Sequence, residues 1–401
     1  MNQRVLKQLK YNVLFLSILL VIEILLIGQK LLFQKKVSIY FDGMNAVIEK
    51  DSYYVGVGSN NDNSNHYEKA KISKYNEKRE KTFEKLYNVG YNSAFFGVGI
   101  DKDDIVAVGS YEKNDTNHEE SVRTALIVKY SSNGDLIFEK DYSLLDNSKF
   151  TKVIVLEDGY IVCGQSVYKN TKVGSHEGGA ILLKYSRDGK LLWKKSFGDN
   201  KSAIFNDIIV LGDYFYTVGL RDSYIGVICK YDFDGNLINS SSFTYTDEMG
   251  FTGITTYQGE IYVSGSKRGE NHTVNGVILH YNTDCSLIQE VSYQGEGYTR
   301  FHKIQVDSKG NLIVIGIIRT KSSSIGNNID VFNYNGIIGK YSSSLEEVLV
   351  TSYGDERDDY FTDLSILGND YLVIGYSSYE DGSYLSKFIR YSDALKVLEV
   401  N

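Results

Sequence analysis

Proline is absent from all 401 residues, where ordinary usage of roughly 5% would supply about 20. Polyproline segments and cis-proline turns are therefore excluded, and chain reversals fall to Gly, Asn, Asp and Ser. Cysteine is nearly as scarce. Cys163, Cys229 and Cys285 form no CxxC pair, and the first two lie inside apolar runs. They read as small buried hydrophobes, and no disulfide framework is indicated. Histidine is limited to His66, His118, His176, His272, His280 and His302. No HExxH or HxH pair occurs among them, so no metal site of ordinary spacing is indicated. Positive charge is not in excess: 43 Lys and Arg stand against 51 Asp and Glu, a net charge of -8. That excludes a surface built to neutralise nucleic-acid phosphates. No GxSxG, phosphate-binding loop or paired nucleophile and base stands out, so no catalytic, cofactor or metal residue is assigned. The acidic stretches NNDNSN (60–65) and GDERDD (354–359) do not match a calcium-binding helix-loop-helix and read as solvated loops.

Hydrophobic residues make up 42% of the chain, aromatics 13%, with 33 tyrosines. That is a globular composition suited to half-buried strands. One long apolar run is present. Residues 11–29, YNVLFLSILLVIEILLIGQ, separate Lys10 from Lys30. At 1.5 Å per residue they span about 28 Å as a helix, near the hydrocarbon thickness of a bilayer. Glu23 interrupts the run at a cost of roughly 2.5–3.5 kcal/mol if ionised, which the surrounding Leu, Ile, Val and Phe offset. No small-residue cleavage site follows it. The expectation is a short basic tail at 1–10, a signal anchor at 11–33 and a large domain at 34–401. Arg4, Lys7 and Lys10 against Lys30, Lys35 and Lys36 give only a slight charge bias. It favours a cytoplasmic tail and an extracytoplasmic domain; the opposite orientation stays open.

The domain repeats. An apolar run ending in glycine appears at Gly58, Gly109, Gly164, Gly219, Gly265, Gly316 and Gly375, spaced by 46 to 59 residues. An apolar run, usually a basic residue, and then tyrosine alternates with it, at Tyr75, Tyr130, Tyr185, Tyr231, Tyr281, Tyr341 and Tyr391. A third marker precedes each glycine: Met44, then Phe95, Phe150, Phe205, Phe251, Phe301 and Phe361. Apolar residues follow it with period two, as in Phe205, Ile208 and Val210, the pattern of a strand. Each unit therefore holds four strands. The turn between the third and fourth is Asn133-Gly134, Asp188-Gly189 or Asp234-Gly235 in three units, pairs that favour type I′ hairpins. Four antiparallel strands repeated seven times predict an all-β, seven-bladed β-propeller, with VSIY (37–40) a candidate extra strand across the closure.

The stretches GIIGKYSSSLEEVLVTSYGDERDDYFTDLSILGNDYLVIGYS (336–377) and AILLKYSRDGKLLWKKSFGDNKSAIFNDIIVLGDYFYTVG (180–219) resemble the bacterial seven-bladed β-propeller repeat of secreted and surface proteins, over about 44–401. The resemblance implies blade architecture and no common catalytic motif. DGKLLW also resembles repeats of quinone-dependent dehydrogenase propellers, which dock each blade with a tryptophan. Only one unit carries it, where Phe138 and Asn239 occupy the equivalent positions in its neighbours, so Trp193 reads as a packing residue.

First strands of a propeller line the central channel. The residues after the phenylalanine, Thr151 and Lys152, Asn206 and Asp207, His302 and Lys303, Thr362 and Asp363, would form a mixed polar ring at its mouth. Of these, Lys152, Asp207, His302, Lys303 and Asp363 are the candidate ligand contacts; a water-filled lining is the alternative. The linkers between second and third strands differ in length, as in RTKSSSIGNNIDVFNYN (319–335) against RDSY (221–224), and such loops on a rigid scaffold carry binding. The reading is a single-pass cell-membrane protein whose propeller binds or scaffolds a protein or glycan partner, without nucleic acid and without a cofactor. The alternatives are an envelope glycan hydrolase or lyase using channel carboxylates, and a sensor signalling through its helix.

Overall fold

A computed structural model describes residues 41–401 except 62–66, 88, 114–121, 145–146, 168–177, 199–201, 223–224, 244–248, 270–272, 296, 326–328, 355–356 and 380–381. The expected anchor, the segment VSIY and four of the six histidines, His66, His118, His176 and His272, lie outside the described residues. Among the described residues, no helix is long and apolar enough to cross a membrane.

The described chain is all β. Its strands form seven consecutive groups of four, numbered in chain order. They are β1–β4 (Phe41–Lys50, Tyr53–Asn61, Lys69–Asn76, Lys81–Tyr87) and β5–β8 (Tyr91–Asp101, Asp104–Lys113, Val122–Tyr130, Leu136–Tyr142). Next come β9–β12 (Asn147–Leu156, Gly159–Val167, Gly178–Ser186, Leu191–Phe197) and β13–β16 (Ala203–Leu211, Tyr214–Arg221, Ile225–Asp232, Leu237–Phe243). They are followed by β17–β20 (Met249–Tyr257, Glu260–Arg268, Val274–Tyr281, Leu287–Tyr293) and β21–β24 (Thr299–Val306, Leu312–Ile325, Ile329–Tyr341, Glu347–Tyr353). The last group is β25–β28 (Asp359–Leu367, Asp370–Ser378, Tyr384–Tyr391, Val397–Val400).

Within each group successive strands pair antiparallel. Two short parallel contacts fuse groups, so that the hydrogen-bonded sheets number five. One contact joins Arg123 of β7 to Asn147 of β9. The other joins Phe41 and Asp42 of β1 to Tyr384 and Leu385 of β27. Each group's first strand packs on the first strand of the next, and β25 packs on β1.

The core follows the same cycle. Seven buried clusters each draw on two neighbouring groups; one holds Phe205 and Ile208 against Ile161, Cys163 and Leu182. The last, with Met44, Val47, Tyr54 and Tyr75 against Leu372, Ile374 and Phe388, joins the final group to the first. A fully buried phenylalanine contributes about 2–3 kcal/mol, and the six marker phenylalanines are each at most 1% exposed. Room for the ring comes from a small residue five positions before the tyrosine of the preceding group. A Cβ added at Gly226 would meet the Phe251 ring at 2.8 Å, and one at Gly336 the Phe361 ring at 2.5 Å. All three cysteines are buried free thiols, consistent with their reading as small hydrophobes.

The third-to-fourth turns differ from the expected type I′ form. Only the glycine of each Asn/Asp-Gly pair takes positive φ, at 83°, 81° and 76° for Gly134, Gly189 and Gly235. The residue after the tyrosine closes the loop: Gly134 N–H donates to Ser131 O at 2.9 Å, and Ser131 N–H to Asp135 O at 2.8 Å. This is a three-residue loop ending in one left-handed residue. The same two bonds recur in all seven groups. Arg79, Cys285, Leu345 and Leu395 replace the glycine, at φ between 51° and 62°. Three of these side chains, Cys285, Leu345 and Leu395, are at most 5% exposed, so burial offsets the left-handed cost.

Residues 319–335, read from sequence as a long variable loop, are mostly strand. β22 and β23 continue pairing from Arg319↔Tyr334 out to Ile325↔Ile329, with one register shift between Lys321 and Ser323. The Arg319 guanidinium lies 4.2 Å from the Phe332 ring centre, a contact that favours continued pairing.

Candidate functional site

All three sequence markers meet in one device. Phe205 pairs with Gly219 and Asp207 with Val218, leaving Asn206 bulged out of the ladder. The bulge recurs at the marker residue of every group. It brings the first-strand backbone against the glycine opposite. A Cβ at Gly219 would lie 1.9 Å from Ile204 O, and the other six motif glycines face the equivalent carbonyl at 1.9–2.2 Å. Only glycine fits, which is why each apolar run ends in it.

A bulge re-aims a side chain, and here it aims the bulged residue at the next group. Asn45 Nδ2 donates to Phe95 O at 2.8 Å. Thr151 Oγ1 donates to Phe205 O, Asn206 Nδ2 to Phe251 O and Thr252 Oγ1 to Phe301 O, each at 2.6 Å. His302 Nδ1 reaches Phe361 O at 2.8 Å, and Thr362 Oγ1 reaches Met44 O at 2.7 Å. Six of the seven groups are latched to their successor in this way; in the second, Phe96 has no donor to offer. His302, Thr151, Asn206 and Thr362, expected as channel-mouth polarity, are thus bound to backbone. His302 carries its hydrogen on Nδ1, and burial pushes the imidazole pKa down.

The residue after each bulge faces a different neighbourhood. In ring order these residues are Ala46, Gly97, Lys152, Asp207, Gly253, Lys303 and Asp363. Lys303 reaches past Gly253 to Asp207, Nζ to Oδ2 at 2.6 Å. Asp207 is 2% exposed and accepts three donors. Ile208 N–H reaches its Oδ1 at 3.0 Å, and Ile254 N–H reaches Oδ2 at 3.2 Å alongside Lys303. Asp363 repeats that staple across the seventh-to-first junction, its Oδ2 accepting from Val47 N–H at 3.0 Å. Its Oδ1 is buried with no hydrogen-bond partner. Burial pushes the Lys152 amine pKa down, and the adjacent Lys303 ammonium pushes it further. Burial acts the same way on Lys303, but Asp207 and Asp363 outweigh it and hold that ammonium above its ordinary range.

The candidate residues therefore split. Lys152, Asp207, Lys303 and Asp363 form one charged cluster, and His302 stands apart from it as a latch. A cavity of about 370 Å³ opens beside the cluster, lined by Lys152, Asp207 and Lys303 and by Thr255, Thr256 and Gln305. Sequence reasoning passed over those last three. They lie three or four positions beyond the bulged residue, the one signal that could have found them. Among the described residues no group of His, Cys, Asp and Glu is placed to hold a metal ion.

The outer rim is built by a second set of contacts. In most groups the basic residue before the tyrosine pairs with an acid near a turn, as Lys184 with Asp158 at 2.6 Å and Arg390 with Asp370 at 2.6 Å, whereas Lys74 donates to Ser132 O at 3.3 Å. Trp193 packs on the following group, stacked on Phe215 with ring centres 6.5 Å apart, and its Nε1 donates to Phe233 O at 3.2 Å. Asn239 and Gln289 do the same work at the equivalent position, donating to Asp284 O and Ser344 O at 2.7 and 3.1 Å.

Against known structures this arrangement has clear counterparts. Sqt1 from Chaetomium thermophilum matches over 90% of this chain and 88% of its own, with a TM-score of 0.51 and 10% identity. The β-propeller domain of the Trilobed protease from Pyrococcus furiosus matches over 90% and 95%, with a TM-score of 0.50 and 9% identity. The fold is a β-propeller. The acylaminoacyl peptidase of Pyrococcus horikoshii also matches, with a TM-score of 0.53 and 8% identity, this chain covering 53% of its length. At these identities the likeness is one of fold alone. No family model matches the chain, and no curated protein does.

Proposed function

We propose that this chain is a seven-bladed propeller, each group of four strands one blade, held at the cell membrane by residues 11–33 with the propeller outside the cytoplasm. There it acts as a binding or scaffolding module for a protein partner. The observation that carries the reading is a belt of exposed aliphatic pairs. Five of the seven fourth strands open with one, Leu136-Ile137, Leu191-Leu192, Leu237-Ile238, Leu287-Ile288 and Val397-Leu398, and a sixth carries Val348-Leu349 one residue in, each residue 39–56% exposed. Repeated apolar surface of this kind on a folded rim marks a contact surface. Aliphatic side chains suit a protein partner better than a glycan. The rival reading, glycan cleavage by channel carboxylates, needs a free acid and base. Asp207 is committed to three donors and Asp363 to the Val47 amide.

The test places a photocrosslinking residue at Ile137, Leu192 or Ile288 of the full chain in its native membrane, with Arg221 as a control away from the belt. Discrete adducts at the belt positions, lost when the neighbouring pairs are changed to serine at unchanged melting temperature, support the module. Adducts absent from the belt, or equally abundant at Arg221, overturn it. Protease protection in sealed vesicles tests the orientation separately.

A further inference from the structure

The two edges of the propeller differ in what they expose. Phe41 at the start of β1 pairs with Asn61 at the end of β2, Asn60 with Lys69 at the start of β3, and Ala70 with Tyr87 at the end of β4. The chain therefore enters β1 at the edge that carries the second-to-third linkers and the connections between groups. The tight turns lie at the other edge, and the remaining groups pair in the same sense. The entry edge is apolar at its tips. Tyr67, Val89 and Leu144, just before β3, β5 and β9, are 44%, 40% and 53% exposed. Tyr67 meets Tyr91 edge-on with ring centres 4.6 Å apart. A row of half-buried tyrosines crosses the sixth and seventh groups at the same edge: Tyr298, Tyr334, Tyr360, Tyr376 and Tyr384, with successive ring centres 5.0–5.9 Å apart. The row ends at Tyr384, the residue that pairs with Phe41. Cations of this edge are held by acids, Arg123 by Glu112 at 2.9 Å and Lys387 by Asp359 at 3.3 Å. Among the described residues no turn of the opposite edge carries an exposed large apolar side chain.

Tether length decides what the entry edge meets. On the reading that residues 11–33 anchor the chain, only the seven residues 34–40 separate the anchor from Phe41. They reach at most about 25 Å, part of it within the headgroup layer. β1 is ten residues long, which puts the edges about 30 Å apart. The opposite edge cannot be laid on the bilayer without stretching the tether past its limit; the entry edge can. We propose that the entry edge rests on the lipid surface, with Tyr67, Val89 and Leu144 in the headgroup layer and the tyrosine row flanking the tether. Tyrosine suits that layer, where one end of a side chain is apolar and the other wet. With the cations named above already paired, the contact is apolar, and neither anionic lipid nor salt governs it. A weak contact suffices, because a short tether holds the edge near the surface at an effective concentration of about millimolar. The belt of aliphatic pairs adjoins the opposite edge, where Leu136 faces Tyr130 at the end of β7. This orientation therefore keeps the belt off the bilayer and presents it to a partner.

The full chain reconstituted into phosphatidylcholine vesicles with brominated acyl chains tests this, because bromine quenches a tryptophan only at close range. Trp193, the one native tryptophan, sits opposite Lys184 near the far edge and is the internal reference. Leu144→Trp is expected to add emission that is mostly lost in brominated vesicles, and Val89→Trp repeats the test should the first variant fold poorly. Trp193 and Asn369→Trp, the latter in the turn between β25 and β26, are expected to keep their emission. Adding Tyr67→Ser to Leu144→Trp should recover part of the loss, while raised salt or added phosphatidylglycerol should leave it unchanged. Flotation of the vesicles after an alkaline wash separates this inference from the anchor reading. A chain that washes off overturns both. A chain that stays while Leu144→Trp and Val89→Trp keep their emission overturns the orientation alone. Quenching of Ile137→Trp in place of Leu144→Trp, or quenching that needs phosphatidylglycerol, overturns it too.

Discussion

The Thr362 hydroxyl donates to the Met44 carbonyl at 2.7 Å, joining residues 318 positions apart. It is the same bond that Thr252 makes to Phe301 and Thr151 to Phe205, so the last group is tied to the first by the device used at five of the other six junctions. Asp363 to Val47 N–H adds a second tie at this junction. Thr362→Val keeps the shape and removes the donor. The expected loss is about 1–2 kcal/mol, the cost of leaving a buried carbonyl short of a partner, read as a lower midpoint in urea unfolding. Thr362→Asn is expected to restore most of it, because Asn45 and Asn206 make the latch with an amide. Equal midpoints for Thr362→Val and the unaltered protein would show the latch to be incidental.

The motif glycines allow a sharper contrast. Gly219→Ala places a Cβ 1.9 Å from the Ile204 carbonyl, so the bulge must shift. A loss above about 3 kcal/mol is expected, in the range reserved for overpacking and backbone displacement. Gly212→Ala is the control. Nothing lies within 4 Å of its added Cβ, and only its φ of +60° opposes the change, for about 1 kcal/mol. Both are read by denaturant midpoint, and the order of the two is the prediction.

Leu345 tests how burial and backbone strain trade. It sits at φ 62° and packs among Tyr262, Phe301 and Leu312 at 3% exposure. Leu345→Ala is expected to cost about 2–4 kcal/mol in lost burial and cavity. Leu345→Gly loses one more methyl group yet relieves the left-handed strain, worth roughly 1 kcal/mol. It is therefore expected to be no less stable than Leu345→Ala, the reverse of the usual order within a strand or helix. A glycine variant clearly weaker than the alanine variant would mean that the left-handed conformation costs nothing here.

These cases also show what was legible in the chain. Gly219 and Phe205 were visible because the bulge admits one residue at the first position and a large apolar ring at the second, so identity repeats. The latch beside them was not. Asn45, Thr151 and His302 share only a donor at one bond's reach, which leaves no common letter. The turns misled for a related reason. Asn133-Gly134 is the type I′ pair, but the loop asks for one left-handed residue, and Leu345 or Cys285 meets that demand by being buried. The strand extension of β22 and β23 was hidden by the serines and asparagines of 319–335, whose loop-like composition says nothing of the Arg319–Phe332 contact. Lys152, Asp207, Lys303 and Asp363 do lie on first strands, as the repeat pattern indicated. The division of labour within their cluster, Asp207 saturated and Asp363 half paired, follows from which backbone amides the bulges expose.

His302 makes the sixth group's latch distinctive, because among the latch residues only an imidazole can gain a proton. Burial lowers its pKa below the ordinary 6.5, with Arg300 adding to the effect and the Phe361 carbonyl opposing it. The charged groups named around it are thus one cation and no carboxylate. The unfolded chain consequently holds more protons than the folded one between the two values, and stability rises with pH across that window. His302's contribution is fully present above about pH 6.5 and is lost as the pH falls from there through the folded value. Unfolding free energy is therefore expected to decline between about pH 7 and pH 5, before the aspartates begin to titrate. His302→Thr should flatten that decline while retaining the bond to Phe361 O, since threonine fills the same position at Thr151, Thr252 and Thr362. Urea midpoints of both proteins at several pH values decide it. A decline of equal slope in His302→Thr would place the acid sensitivity elsewhere, while a variant already unstable at pH 7.5 would show that the imidazole contributes packing that threonine cannot replace.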